Sequence, residues 1–275
     1  MNDNYFHNDI NIIYITESIP GPAEDTPEYA VLLANYNSQM LDNCYCSNMC
    51  MKVQCSCLQI SHGSNYNGYI FDGKLKYRLN CKSNLFIDYP IIECNTNCLC
   101  PPTCGNRVVQ NGPMEGLIVK ECEDKEKGLG LFTPHFIHKG TFICEYAGEL
   151  ITKTQALLRS EENEAQGKMN YIFCLNEHTY AGVEQTFVDP SNFGNIGRYI
   201  NHSCEPNSCI VPVRSEIAIP RLGIFAFTNI MPDEEITFSY SSGSDAGSDY
   251  KTDAKRKICL CKTNSCQKFM PYENY

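Results

Sequence analysis

Residues 194–207 read Gly194-Asn-Ile-Gly-Arg-Tyr-Ile-Asn-His-Ser-Cys-Glu-Pro-Asn207. Glycine, arginine, an Asn-His pair and a cysteine make the run too polar for a core strand. Ile196, Tyr199 and Ile200 make it too apolar for a plain loop. Such a stretch needs partners from elsewhere in the chain, and Cys204 points to one. The last cysteines, Cys259-x-Cys261-x4-Cys266, offer three thiolates where a structural zinc takes four. Cys204 sits in a polar turn and is the expected fourth ligand. His202 competes for that place, whereas His7, His62, His135, His138 and His178 have no metal-binding spacing.

The chain has 275 residues, of which 18 are cysteines and none tryptophan. A secreted disulfide scaffold is the first reading of so many cysteines, and it requires an export signal. The beginning, Met1-Asn-Asp-Asn, has no basic region, and the apolar run Ile10–Ile15 is too short to export or span a membrane. The expectation is an intracellular chain with reduced thiols and no membrane segment. Acidic residues outnumber basic ones by 32 to 22, for a net charge of −10. That balance favours a basic partner over nucleic acid, although it also serves solubility.

The other cysteines cluster near the N-terminal end as Cys44-x-Cys46-x3-Cys50-x4-Cys55-x-Cys57 and Cys94-x3-Cys98-x-Cys100-x3-Cys104. Neighbours this close strain against mutual disulfides but suit tetrahedral zinc. Nine thiolates satisfy three zinc ions if three of the sulfurs bridge. A three-zinc cluster is therefore expected, with Cys81 left as a free thiol. Cys122, Cys144, Cys174 and Cys209 read as single packed residues.

Between head and tail the texture is β-rich. Short runs of β-branched and aromatic residues recur at 117–119, 141–146, 171–175, 186–188, 210–213, 222–227 and 235–238, separated by turn residues. One helix is predicted over Thr154–Gln166, with a threonine cap and Gly167 as its stop. A strand is predicted over Ile10–Ile15, then a turn at Pro20-Gly-Pro22. The fold class is mostly β with few short helices. Five segments follow: an N-terminal strand and linker (1–40), a cysteine head (41–113), a β-rich body (116–241), a Ser/Gly/Asp-rich connector (242–254) and a cysteine tail (255–271).

The order of cysteine head, Lys127-Gly-Leu-Gly130, Glu145-Tyr-Ala-Gly-Glu149, Gly194–Asn207, Glu235-Ile-Thr-Phe-Ser-Tyr240 and cysteine tail resembles that of the pre-SET/SET/post-SET histone-lysine methyltransferases, in particular the SUV39-like class. The resemblance runs from about residue 40 to the end. It implies small curved sheets with a C-terminal pseudoknot that brings Asn201-His202 beside Tyr240. It implies an S-adenosylmethionine pocket formed by Lys127, Gly128, Leu129, Gly130, Tyr171, Arg198, Asn201 and His202. Leu129 stands where the family usually has tryptophan, which reduces aromatic contact with the adenosine. Tyr240 and Tyr146 match the catalytic-channel tyrosines, and Phe238 matches a position that is phenylalanine or tyrosine in the family. Phenylalanine there leaves room for a methylated amine, so multiple methylation is expected. The implied substrate is a histone tail, most readily H3 within a nucleosome, with specificity set in the groove around the helix at 154–166. The implied location is the nucleus, on chromosomes.

Two other classes compete. A catalytically silent chromatin-binding protein with the same fold should have lost the tyrosines and the Arg198, Asn201, His202 set, and all are present. A zinc-cluster DNA-binding protein should carry a basic helix, and none is seen. Lys255-Arg256-Lys257 leaves direct DNA contact an open question.

Overall fold

The computed structural model describes residues 3–40, 42–51, 54–71, 73–80, 90–179, 182–241 and 257–271. Cys81 and the connector 242–254 lie outside the described residues, as do Lys255 and Arg256. Three four-stranded sheets form the body. The first orders Phe173–Thr179, Gly182–Asp189, Glu149–Ile151 and Ile19–Pro20. The second orders Asn201–His202, Glu235–Phe238, Leu129–Phe132 and Ile118–Glu121. The third orders Ile91–Ile92, Ser208–Arg214, Arg221–Ala226 and Phe142–Glu145. Their apolar faces meet in one core that includes Leu131, Ile143, Ile200, Ile224, Ile230 and Ile236, all fully buried. Burial of this kind is the main force holding such short strands together.

The helix at Lys153–Ala165 begins with a capping box: Thr152 accepts from Gln155 N–H while the Gln155 side chain accepts from Thr152 N–H. Gly167, at φ +65°, ends it in the left-handed region. Arg159 ties the helix to the first sheet through Glu149 (2.8 Å) and Asp189 (2.6 Å). The strand expected over residues 10–15 shortens to Ile13–Tyr14, paired in parallel with Phe193–Gly194. A helix, Pro27–Tyr36, follows it where a linker was expected. Its signal is in the sequence: Thr26 caps Tyr29 N–H, Pro27 takes the first turn and Glu28 faces the positive end of the helix dipole.

The cysteine head has more apolar order than its sequence promised. A hairpin, Tyr66–Phe71 with Lys74–Leu79, places Tyr66 and Leu79 against Phe142, Val211 and Phe225 of the body. Ile91–Ile92 adds a parallel strand to Val213–Arg214. Buried Glu93 accepts from Tyr66 Oη (2.7 Å), Val108 N (2.7 Å) and Val109 N (2.8 Å), fixing the head to the start of the body. Among the described residues, no helix is long and apolar enough to cross a membrane.

Candidate active site and metal centres

The stretch 194–207 lies beside the strand Glu235–Phe238. Asn201 and His202 pair in parallel with Thr237 and Phe238, and Ser203 N donates to Phe238 O (3.1 Å). Asn207 seals the junction by accepting from Thr237 N (2.9 Å) and donating to Glu235 O (2.8 Å). Gly197 is needed for this approach, because a Cβ there would lie 2.4 Å from Glu145 O. Asn201-His202 thus stands beside Tyr240, the arrangement the resemblance implied.

A cavity of about 590 Å³ opens at this junction. Seven of the eight residues expected around a cofactor line it: Lys127, Gly128, Leu129, Tyr171, Arg198, Asn201 and His202, with Tyr240 beside them. Gly130 does not. It is buried behind the strand, where a Cβ would meet Cys122 Sγ at 2.7 Å. Gly128 adopts φ +71° with nothing near its missing Cβ, so bare backbone forms that part of the wall. Lys127 turns its ammonium to Glu235. Asn201 Nδ2 donates to the other oxygen of Glu235 (2.8 Å) and to Leu129 O (3.0 Å). Glu235 therefore organises the two wall segments, a part that could not be read from its motif. Arg198 lies over the rings of Tyr171 (4.7 Å) and Tyr199 (5.2 Å). Its Nε donates to Pro190 O (3.0 Å), leaving the terminal nitrogens without a protein partner among the described residues. A guanidinium so placed is suited to a carboxylate.

Next to the cavity is an aromatic cage. Phe238 lies 5.0 Å from Tyr240, 5.6 Å from Tyr146 and 5.9 Å from Phe173, ring centre to ring centre. Phe173 was missed from sequence, where it read only as part of a strand. Tyr240 Oη donates to Ile200 O (2.9 Å) and Tyr146 Oη to Tyr171 O (2.6 Å). Burial raises the pKa of both phenols, so they stay protonated at neutral pH. Burial also lowers His202, to about 4, and keeps its ring neutral. Its Nδ1 accepts from Tyr240 N–H (3.1 Å), and its Nε2 faces Cys204 Sγ at 3.5 Å. One imidazole thus connects the tyrosine segment to the tail cysteines.

Those tail cysteines converge as expected: the sulfurs of Cys204, Cys259, Cys261 and Cys266 all lie within 4.8 Å of one another. Cys204 and Cys259 are 3.8 Å apart, which matches the edge of a zinc–sulfur tetrahedron with bonds of about 2.3 Å. In the head, three overlapping tetrads form: Cys44, Cys50, Cys94 and Cys100; Cys44, Cys55, Cys57 and Cys94; and Cys44, Cys46, Cys50 and Cys55. Cys44, Cys50, Cys55 and Cys94 each belong to more than one tetrad, so the head's thiolates lie close enough to be shared between ions. Cys98 lies 3.6 Å from Cys57, and Cys104 is buried in the same cluster. Asn106 Nδ2 and Arg107 Nη2 point at the sulfurs of Cys94 (3.4 Å) and Cys100 (3.6 Å), as donors do around metal-bound thiolates. The donor sets fit zinc at both ends of the chain.

Comparison with known proteins agrees with this geometry. The family model for the Pre-SET motif matches residues 2–107, and that for the SET domain matches residues 128–241. The histone-lysine N-methyltransferase SETMAR of Rattus norvegicus is 36% identical over 273 residues, covering 95% of this chain and 79% of its own. The crystal structure of the methyltransferase domain of human SETMAR superposes with a TM-score of 0.74 at 34% identity, covering 95% of this chain and 90% of that one. KRYPTONITE, solved with DNA, an H3(1–15) peptide and S-adenosylhomocysteine, gives 0.68 at 25% identity, over 95% of this chain and 48% of its own. The chain belongs to the pre-SET/SET family of histone-lysine N-methyltransferases. Its similarity to SETMAR extends over nearly its whole length.

Proposed function

We propose that this protein methylates a lysine of a histone tail, that of H3, with S-adenosylmethionine as donor, and that it adds more than one methyl group. The observation that carries the reading is the junction of a cavity that holds Arg198 and Asn201 with an aromatic cage at Tyr240. S-adenosylmethionine supplies a methyl group activated on a sulfonium. The backbone at Lys127-Gly128-Leu129 and the side chains of Tyr171, Arg198, Asn201 and His202 would hold it, with Arg198 offered to its carboxylate. Gly130 supports this wall from behind.

A lysine amine has a pKa of about 10.4 in water and attacks only when neutral. Phe173, Phe238, Tyr146 and Tyr240 surround it with apolar surface, which disfavours its charged form. Among the described residues the cage is made of aromatic rings with no carboxylate to accept the proton, so placement is the chain's chief contribution. The phenol oxygens of Tyr240 and Tyr146 keep lone pairs for the amine and for weak C–H···O contacts from the methyl group. Phe238 leaves that space free of a hydroxyl, which supports repeated transfer.

The strand Phe173–Thr179 is a sheet edge that begins in the cage, and a histone tail added there would present its lysine to Tyr240. The net charge of −10 suits such a basic tail, and a histone substrate supports a place on chromatin in the nucleus with the nucleosome as the larger partner. Three zinc ions in a 41–113 module would brace the body at 116–241, and a fourth would hold the 255–271 tail against the cavity. Incubation with labelled S-adenosylmethionine and core histones is expected to label H3. Absence of label on any histone, with folded protein present, would overturn the proposal.

A further inference from the structure

The N-terminal arm also forms part of the cavity wall, through Phe6, Asn8, Asp9 and Ile12. Three anchors hold it there. Tyr5 Oη donates to Met114 O (2.6 Å) and accepts from Leu117 N (2.9 Å). His7 Nε2 lies 3.0 Å from Gly194 O and must donate to it, so its Nδ1 accepts from Tyr199 Oη, also at 3.0 Å. Ile13 N and Ile15 N then donate to Asn192 O (2.8 Å) and Gly194 O (2.9 Å). Phe6 falls between two pinned neighbours. Its side chain lines the cavity and is 75% exposed.

Phe6 is not alone in this. Leu129 (46% exposed) and Ile258 (70% exposed) reach the same cavity from the second sheet and from the tail. Three separate segments thus leave bare apolar side chains facing one space, at a cost that an occupant would offset. A flat heteroaromatic base is an occupant such faces recognise, stacking on an aromatic ring and packing on aliphatic ones. Asn8, on the same wall, offers both a donor and an acceptor to a base edge. Arg198 and Tyr240 serve the charged and reactive portions of the ligand, which leaves the apolar side chains to its purine.

We infer that the N-terminal arm is the adenosine wall of the cofactor site and that Phe6 supplies the aromatic face for the adenine, opposite Leu129 and Ile258. The inference rests on the S-adenosylmethionine reading above. It gives the arm a binding role in addition to its packing role: His7 holds Tyr199, and Tyr199 in turn supports Arg198.

Calorimetric titration of the zinc-loaded 275-residue chain with S-adenosylhomocysteine and with 5′-methylthioadenosine, which lacks the amino acid, tests it. Phe6→Ala is expected to raise Kd for both ligands by roughly tenfold, the scale of one lost base–aromatic stack. Phe6→Tyr should stay within about twofold of wild type, as ring stacking is retained. Because Phe6 is exposed, the unliganded proteins should unfold at the same temperature, which separates lost binding from lost folding. Wild-type protein that binds neither ligand would refute the cofactor reading itself. Wild-type binding with an unchanged Kd in Phe6→Ala would overturn only the arm's role, as would a loss confined to S-adenosylhomocysteine.

Discussion

Glu145 and Tyr146 are chain neighbours on opposite faces of one strand end, and burial acts on them differently. Tyr146 joins the cage, while Glu145 faces Arg221 at 3.2 Å. Burial pushes Glu145 up to about 7 despite that guanidinium. A carboxyl raised on folding keeps its proton in the native state after the unfolded chain has lost it. Its contribution to stability is therefore full below the ordinary carboxylate range and is lost as pH rises towards 7. Glu145→Gln should flatten this dependence and gain on the order of 2 kcal/mol over wild type between about pH 5.5 and about pH 8.5. Denaturant unfolding at the two pH values checks it; an equal difference at both would contradict it. Phe238 governs a chemical outcome instead. Its ring is 1% exposed and in contact with Tyr146, Phe173 and Tyr240, so a new hydroxyl would occupy cage space. Phe238→Tyr is expected to shift products towards monomethyl-lysine by mass spectrometry, and an unchanged product distribution would refute the role given to Phe238.

At the scale of elements, what could be read from the chain depended on whether the signal was local. The helix at Lys153–Ala165 was legible because cap, helix formers and terminal glycine lie in one run, and the strand Glu235–Phe238 emerged with its expected bounds. The helix Pro27–Tyr36 and the hairpin ending at Leu79 were missed although Thr26-Pro27-Glu28 and Asp72-Gly73 mark them. The density of cysteines drew the reading towards metal alone. The tail is the element whose removal should propagate furthest. Ile258 and Leu260 line the cavity, Cys204 gathers the tail sulfurs, and His202 links that cysteine to Tyr240 N–H. Cys204→Ser, or chelation of zinc, should weaken S-adenosylhomocysteine binding by about tenfold or more as well as lower stability. Calorimetry that returned wild-type affinity for Cys204→Ser would break this coupling.

Over the whole molecule, the site is an assembly of distant pieces. The cysteine clusters could be read from spacing, and Lys127, Arg198, Asn201 and His202, which line the cavity, from motifs. Their mutual arrangement could not be derived from local pattern, because Glu235 meets Lys127 and Asn201 across large sequence separations. Phe173 and the N-terminal arm escaped for the same reason: neither belongs to a motif, and both act through tertiary contact. The pre-SET head contributes through Ile91–Ile92 and Glu93, which lock it onto the sheet whose Phe142–Glu145 strand leads into Tyr146. The central claim is that this assembly delivers methyl groups to a histone lysine at Tyr240. Its most direct test is intact-mass analysis of an H3 tail peptide incubated with S-adenosylmethionine and either wild-type protein or Tyr240→Phe. Successive methyl additions beyond the first with wild type, and a loss of about a hundredfold in rate with Tyr240→Phe, are the predicted result. An unmodified peptide with folded wild-type protein, or equal rates for the two, would contradict it.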